Sequence, residues 1–372
     1  MPSRSCPRPS PAWKTDAVRV LVAMSGGVDS SVAAARVAAE VGPANVVGAT
    51  LRLWGGPSDS GCCSVADVED ARRVAESLGL VHRVFNLSDE FETRVVAPYV
   101  AGHAAGLTPN PCIECNRSIK FDTLLDRARR LGFDALATGH HARRVTDPSG
   151  RHRLLRGADP AKDQSYVLAM LGQDQLGRVL FPVGDMTKAE VRAEAARLGM
   201  RTAAKPDSQD VCFIRSDVGR ARFLGERLEL HPGHLVDDGS GARLGTVEAV
   251  ELVTVGQRRG MGHGTDGRRR YVTAVDVRSG EVRVGPPEAA MSDAVDLRFP
   301  SWVDAAPPPG TPVVAQCSAH GPPLDATVER TGRAGTLRVR FDEPARRVAP
   351  GQTVALYAAD DPTSVLGSGI AR

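Results

Sequence analysis

At 372 residues the chain is too long for one typical domain, and roughly two or three are expected. With 42% hydrophobic and 24% charged residues and no apolar run near bilayer length, it reads as globular and not membrane-spanning. Aromatics at 4% argue against base stacking as the main nucleic-acid contact, and a net charge of +3 leaves any RNA binding to local basic clusters.

Met1 to Asp16 is rich in Pro, Ser and Arg and lacks an apolar centre. It reads as a flexible tail and not a secretory signal, with an organelle-targeting segment as the alternative. Val18 to Ala23 predicts a buried first strand, and Ser31 to Glu40, rich in alanine, a helix. Between them lies Ser25-Gly26-Gly27-Val28-Asp29-Ser30. Strand, glycine-rich turn and helix together aim backbone N–H groups and the positive end of a helix dipole at a phosphate. The glycines permit close approach, and the hydroxyls of Ser25, Ser30 and Ser31 add donors. The loop lacks the Gly-Lys-Ser/Thr ending of a Walker A motif and does not match G-x-G-x-x-G. A tight structural turn is the bland alternative.

Val46 to Leu51 predicts a second strand, Val68 to Leu78 a helix ending at Gly79, Val81 to Leu87 a third strand, and about Glu90 to Ala105 a helix. Thr108 to Asn116 is a proline-stiffened loop entering a helix from about Asn116. Asp134 to Thr138 is another strand, running into Gly139-His140-His141. Arg143 to Arg156 reads as a hairpin turning at Asp147-Pro148-Ser149-Gly150. The helix from Lys188 to Leu198 has a capping box in Thr187 and Glu190 and a hydrophobic staple in Met186 and Val191. Strands alternating with helices imply a mainly parallel sheet, which binds ligands beyond the carboxyl ends of its strands. The Ser25–Ser30 loop and Thr138-Gly139-His140 both fall there.

After about Cys212 the texture changes to a short helical patch at Ala221 to Leu228, then alternating runs. These are Tyr271 to Val277, Glu281 to Val284 and Thr336 to Phe341, with a hairpin signal at Arg278-Ser279-Gly280. The expected architecture is α/β. A tail at 1–16 precedes a parallel-sheet catalytic domain at 17–212, a small linker domain at 213–287 and a C-terminal β-barrel at 288–372.

Seven cysteines, an odd count, argue against a disulfide framework. Cys6 lies in the tail, Cys62 and Cys63 are adjacent, and Cys317 is isolated. Cys112, Cys115 and Cys212 sit in polar loops and are the candidates for chemistry. At the expected helix start, Cys115 would feel the dipole's positive end, which favours the thiolate. Cys112-x-x-Cys115 admits a redox pair, half a metal site, or a nucleophile with a helper. A single C-x-x-C disfavours a four-cysteine zinc site.

Taken together, SGGVDSSVAA, TPNPCIECNRSIKF, ATGHHAR, LLRGADPAKDQSYVL, FPVGDMTKAEVR and DSQDVCFI, in this order, resemble the tRNA-specific 2-thiouridylase family (MnmA/TrmU). The loop itself resembles the pyrophosphate loop of the ATP-pyrophosphatase (PP-loop) superfamily. The likeness continues through Gly256 to Gly260, Phe341 to Pro344 and Pro350-Gly351-Gln352, so it covers nearly all but the tail.

The resemblance implies 2-thiolation of the wobble uridine in tRNAs for glutamate, glutamine and lysine, with ATP and Mg²⁺ as cofactors. ATP adenylates the C2 oxygen, and sulfur arrives as a persulfide from a sulfurtransferase. By the same likeness Cys212 accepts the persulfide and Cys115 attacks it, leaving a Cys115–Cys212 disulfide that a reductant resets; alternatively the persulfide attacks C2 directly. Many family members carry aspartate where this chain has Cys112. Cys112, Cys115 and Cys212 are therefore also the ligand set for an alternative, a [4Fe-4S] cluster with one open iron. ATP contacts carry over to Ala23, Met24, Ser25, Gly26, Gly27, Val28, Asp29, Ser30, Leu51 and Gly139, with Asp29 either holding Mg²⁺ or capping the helix. Contacts to tRNA carry over to Asn110, Pro111 and Cys112 at the target base, then His140, Lys162, Asp163, Gln164 and Gln352. The family's basic-aromatic contact in the last domain aligns with Ser318, Ala319 and His320 and is altered here.

Arginine clusters at Arg143-Arg144, Arg151 to Arg153, Arg156, Arg258-Arg259, Arg268 to Arg270 and Arg346-Arg347 suit phosphate contacts along a long RNA. A monomer in the cytoplasm, without membrane partners, is expected. Two other classes stay open: a PP-loop ligase acting on a small molecule, and a catalytically silent tRNA-binding protein.

Overall fold

Short apolar strands alternating with helices build the N-terminal half. In chain order they are β1 (Val20–Ala23), β2 (Val46–Arg52), β3 (Val81–Asn86), β4 (Ala135–Ala137), a hairpin of β5 (Ala142–Thr146) and β6 (His152–Arg156), and β7 (Val179–Leu180). The computed structural model describes residues 18–53, 64–207, 211–214, 219–264, 266–330 and 335–372. The tail, Cys6, Cys62, Cys63 and Ser208 to Asp210 lie outside the described residues.

All of these strands except the hairpin form one parallel sheet in the order β3-β2-β1-β4-β7. Successive side chains of a strand face opposite sides, and β1 uses both. Val20 and Val22 pack under α1 (Val28–Val41), α2 (Val65–Ser77) and the Lys188–Arg197 helix, with Val32, Ala33, Val74 and Val191. Leu21 faces the opposite layer with Phe91, Tyr99, Ile119 and Leu124. The capping box at Thr187 and Glu190 is present, and both staple residues, Met186 and Val191, are buried. β7 has no counterpart among the sequence expectations; it is two residues long and pairs with Leu136 and Ala137.

The middle of the chain forms a second sheet from β8 (Gly233–Asp237), β9 (Arg243–Val247), β10 (Tyr271–Asp276) and β11 (Glu281–Gly285), in the order β10-β11-β8-β9. The expected helical patch before it is the Gly219–Gly225 helix. The last part is a closed barrel in the order β12-β15-β14-β13-β16-β17. Its strands are β12 (Met291–Trp302), β13 (Pro312–Gln316), β14 (Leu324–Arg330), β15 (Thr336–Arg346), β16 (Thr353–Ala358) and β17 (Val365–Ala371). Closure leaves no open edge. Among the described residues, no helix is long and apolar enough to cross a membrane.

The barrel is fastened to the parallel-sheet half. Val303, Val314 and Tyr357 join the apolar cluster that contains Leu136 and Tyr166. The Tyr166 hydroxyl donates to the Thr353 carbonyl at 2.8 Å, and the Ser165 and Tyr357 hydroxyls lie 3.0 Å apart. The Arg156 guanidinium stacks 3.7 Å from the Tyr357 ring centroid.

Candidate active site

Strand order reverses direction at β1, between β2 and β4, and in such sheets the crevice beyond the strand ends at that point takes the ligand. The Ser25–Ser30 loop leaves β1 there, with Met24 buried beneath it and Leu51 at the end of β2 alongside. Two glycines are sterically required. Gly26 has φ +72°, and a Cβ on it would lie 2.3 Å from the Asp67 carbonyl oxygen. A Cβ on Gly139, just past β4, would lie 2.6 Å from the Ser30 nitrogen and 2.8 Å from the Asp29 carbonyl carbon. The exit of β4 thus rests on the first turn of α1.

Gly27 is the N-cap of α1 and supplies no side-chain acceptor, so the first-turn N–H groups are left to a ligand or solvent. The serine hydroxyls, expected as ligand donors, work within the loop. Those of Ser30 and Ser31 donate to the Gly27 carbonyl at 3.1 and 2.8 Å, and the Ser25 N–H donates to Ser30 Oγ at 3.1 Å.

Asp29 does not cap α1. Its carboxylate receives Lys188 Nζ at 2.8 Å on both oxygens and lies 3.1 Å from His141 Nε2. Burial pushes the Asp29 carboxyl up, but the bonds from His141 and Lys188 outweigh burial and hold it below its ordinary value. His141 was not singled out in the sequence; its neighbour His140 was. The His140 ring is buried, with Nδ1 2.8 Å from the Thr138 hydroxyl and Phe121 and Phe181 against it, and burial keeps its pKa well below 6.5. His140 is a core histidine in this structure.

Lys188 also reaches Asp207 Oδ1 at 2.8 Å, and Asp207 takes Arg192 at 2.8 Å and Lys162 at 2.7 Å. Burial raises the Asp207 carboxyl, and these cations more than reverse it, leaving it far below the usual carboxylate range. Two residues earlier, Lys205 Nζ donates to the Gly26 carbonyl at 3.0 Å and pairs with Asp67 at 2.6 Å and Asp70 at 2.8 Å.

The residues matched to tRNA contacts have structural partners of their own. Lys162 turns onto Asp207. Asp163 takes Arg156 at 2.8 Å and the Gly157 N–H at 2.9 Å, and Gln164 Oε1 accepts the His141 N–H at 2.9 Å. The Gln352 side-chain amide donates to the Thr108 carbonyl, and the Thr108 N–H donates to Pro350 O at 2.7 Å, fixing the approach to Asn110. Several arginines read as RNA-facing are also paired internally: Arg153 with Asp361, Arg268 with Glu288, and the buried Arg270 with Asp237 and Asp266.

The segment carrying Cys112 and Cys115 departs from expectation at its helix. Helix begins at Pro111, not near Asn116, because Asn110 is its N-cap and Pro111 suits the first helical position. Asn110 Oδ1 accepts the N–H groups of Cys112 at 3.0 Å and Ile113 at 3.2 Å. Cys112 therefore occupies the dipole-facing first turn, while Cys115 opens a wider, π-helical stretch, Cys115–Leu124. Such stretches recur at functional sites. Cys115 is buried in the cluster of Phe91, Tyr99 and Phe121, and Cys212 packs against the same cluster. The next residue, Phe213, meets Phe91 edge-on at 5.5 Å and Tyr99 at 5.7 Å between ring centroids. Burial, with a smaller contribution from Cys112, pushes the Tyr99 phenol up.

The chain thus brings Cys115 and Cys212 to one apolar cluster, and Cys112 acts electrostatically on Tyr99 of that cluster. None of the described cysteines is in a disulfide, so the Cys115–Cys212 bond is not formed here. Cys317 stands apart in the barrel, pushed up to about 12 by burial. Among the described residues, no three His, Cys, Asp or Glu side chains converge on a metal position.

Family models match along the chain: a tRNA methyl transferase HUP domain over residues 18–216, a tRNA methyl transferase PRC-barrel domain over 221–286, and an aminomethyltransferase beta-barrel domain over 292–371. Of solved structures, an NMN synthetase from Francisella tularensis overlaps 54% of this chain and 71% of its own, at 18% identity and a TM-score of 0.32. A tRNA-specific 2-thiouridylase MnmA from Streptomyces coelicolor is 48% identical over 366 residues, 95% of each chain. The protein of that name from Kineococcus radiotolerans is 50% identical over 94% of this chain and 97% of its own. With relatives this similar along nearly their whole length and a family model across the nucleotide half, the chain belongs to the tRNA-specific 2-thiouridylase (MnmA) family.

Proposed function

We propose that this chain uses ATP to replace the C2 oxygen of the wobble uridine of tRNA with sulfur. One observation carries the reading. The segment leading to Cys212 is tied to the nucleotide loop through Lys205 on the Gly26 carbonyl, while Cys212 borders the cluster that buries Cys115. Support for an adenylating loop and a thiol pair acting together comes from these two links.

In this reading the α1 first turn and the Gly26-Gly27 backbone bind the phosphates, with Ala23 to Ser30, Leu51 and Gly139 around the nucleotide. Asp29 is the loop carboxylate suited to Mg²⁺, which takes one or two carboxylates together with substrate phosphates. When bound, the ion neutralises charge on the departing pyrophosphate. Adenylation turns a poor leaving group, the C2 oxygen, into AMP. A Cys212 persulfide, loaded by a sulfurtransferase, is attacked at its inner sulfur by the Cys115 thiolate. The Cys212 S–S bond breaks, hydrosulfide leaves, and a Cys115–Cys212 disulfide forms. Hydrosulfide attacks C2 and expels AMP, and a thiol reductant resets the pair.

Asn110, Pro111 and Cys112, at the head of the catalytic helix, form the surface offered to the flipped base. Substrate tRNAs for glutamate, glutamine and lysine, a monomeric state, a cytoplasmic setting and domains at 17–212, 213–287 and 288–372 belong to this reading.

The test is incubation with ATP, Mg²⁺, a persulfide source and unmodified tRNA, read as a retarded thio-tRNA band on a mercury gel. Thio-tRNA that disappears in Cys212→Ala supports the thiolase. AMP made without tRNA overturns it in favour of a small-molecule ligase, and tRNA binding without turnover in favour of a silent binding protein.

A further inference from the structure

Cys112 and Cys115 stand three residues apart on one continuous helical run. Pro111–Glu114 passes into the π-helical stretch Cys115–Leu124 and then into Leu125–Arg130. Residues at that spacing are neighbours on one helix face. Their surroundings differ. Cys115 is 7% exposed, in the cluster of Phe91, Tyr99 and Phe121, whereas Cys112 is half-buried in the first turn. Asn110 Oδ1 accepts the Cys112 N–H at 3.0 Å, and the head of the helical run favours negative charge, which suits a thiolate. Cys212, also half-buried, packs against the cluster that holds Cys115.

We propose that Cys112 is a further catalytic residue, the resolving thiol that clears the disulfide left by each turnover. This rests on the functional reading above, in which sulfur transfer ends with a Cys115–Cys212 disulfide. The Cys115 sulfur is enclosed by the apolar cluster, so a reductant from outside reaches it poorly. A reductant that attacks Cys212 instead ties up the sulfur that must be reloaded. Cys112 already lies on the face of Cys115. Its thiolate attacks Cys115 Sγ, a Cys112–Cys115 bond forms, the Cys115–Cys212 bond breaks, and the electron pair leaves on Cys212 as a thiolate. The exchange gains and loses no electrons. Cys212 is then free to accept the next persulfide, and the remaining disulfide sits at the more accessible head of the helix, where an external dithiol reduces it. Cβ atoms three apart on a helix lie about 5–6 Å apart and a disulfide holds them at about 3.5–4.5 Å, so closure takes a local adjustment of about 1–2 Å. The winding changes from α to π at Cys115, which puts the irregular turn beside the bond to be made.

The experiment uses the full chain, loaded with sodium polysulfide and freed of excess reagent by gel filtration. ATP, Mg²⁺ and unmodified tRNA are added without any thiol, and samples are quenched in acid, alkylated and mapped for linked peptides by mass spectrometry. The Cys115–Cys212 linkage should form first and give way to Cys112–Cys115, which should predominate by about threefold or more at the end. In Cys112→Ser the first linkage should persist. A second arm needs no turnover: the Cys212→Ala chain, exposed to oxidised glutathione, should close the Cys112–Cys115 disulfide. A Cys115–Cys212 linkage that persists in the unaltered chain while Cys112 is still alkylated overturns the proposal. So does a Cys212→Ala chain that holds glutathione on Cys112 without closing. Thio-tRNA counted in the same samples separates the two failures. If none forms, the functional reading fails and this inference with it. If it forms and the Cys115–Cys212 linkage persists, only the relay through Cys112 is wrong.

Discussion

The glycine-rich loop after β1 and the cysteine-bearing segments are built by opposite means. The loop is a backbone object: Gly26 and Gly139 admit no Cβ, the serine hydroxyls brace the Gly27 carbonyl, and the first-turn N–H groups of α1 are left for a ligand. The proposed sulfur site would be a side-chain object, with the Pro111 helix and a remote segment packing on one apolar cluster. Anion binding needs fixed N–H vectors, which a short local pattern can dictate. Sulfur transfer needs two thiols to meet, and only tertiary packing arranges that.

The widest separation of the two halves should come from Cys115→Ser. Thio-tRNA formation is expected to fall about 10³-fold, the scale on which loss of an essential nucleophile is felt. AMP formation dependent on tRNA should stay within about threefold, because in the proposed reaction Cys115 acts only on the sulfur donor. Parallel loss of both, measured by mercury gel and AMP release, would show that the halves are not separable.

The converse change is Gly139→Ala. Its Cβ would overlap the Ser30 nitrogen and Asp29 carbonyl carbon, both backbone, so the α1 first turn must shift. A displacement of that kind is expected to cost about 10²-fold in AMP formation per folded enzyme. Cys212 alkylation without nucleotide should change little. Unchanged AMP release would mean that the first turn is not where the phosphates bind.

These contrasts also explain what the sequence made legible. The strand–loop–helix at Val20 to Val41 and the Thr187–Glu190 capping box are local patterns and appear where expected. The helix start at Pro111 is equally local: Asn110-Pro111 is a cap followed by a first-turn proline, and reading the prolines as loop stiffeners starts the helix about one turn late and gives Cys115 the first-turn place that Cys112 holds. His141 and His140 were not separable in the sequence. Adjacent residues point to different surroundings, and only the fold shows that one meets Asp29 while the other meets Phe121 and Phe181. The Lys188–Asp207 and Lys205–Gly26 ties join segments distant in the chain, so no spacing rule announces them. The internal pairing of Arg153, Arg156 and Arg270 has the same cause, and it is why arginine runs overstate the RNA-facing surface.

The comparison sharpens where the barrel meets the nucleotide half. Tyr166→Phe removes the hydroxyl that donates to the carbonyl of buried Thr353 and so deletes a buried hydrogen bond between the two parts. A cost of about 1–2 kcal/mol is expected, read as a Tm lowered by about 2–4 °C. Both the adenylation and sulfur steps should persist at lower temperature, since neither is built from this contact.

The smallest effect expected is a pH dependence at the join with the middle sheet. His103 is buried, packs edge-on against Tyr99 with ring centroids 4.7 Å apart, and has Nδ1 3.2 Å from the Glu251 carbonyl oxygen. Burial pushes its pKa down from 6.5 to about 4, the Glu251 carbonyl opposing only in part. Between those values the unfolded chain binds a proton at this residue and the folded chain does not, so folding stability rises with pH across that window and is lost as pH falls. From pH 7 to pH 6 the Tm should drop by about 1–2 °C. In His103→Gln, which keeps a donor for the Glu251 carbonyl and cannot titrate, that slope should flatten. Because Tyr99 carries Phe213, and Phe213 adjoins Cys212, the same acid shift should slow sulfur transfer before it slows AMP formation in the unaltered chain. Equal slowing of both steps would place the effect outside the aromatic cluster.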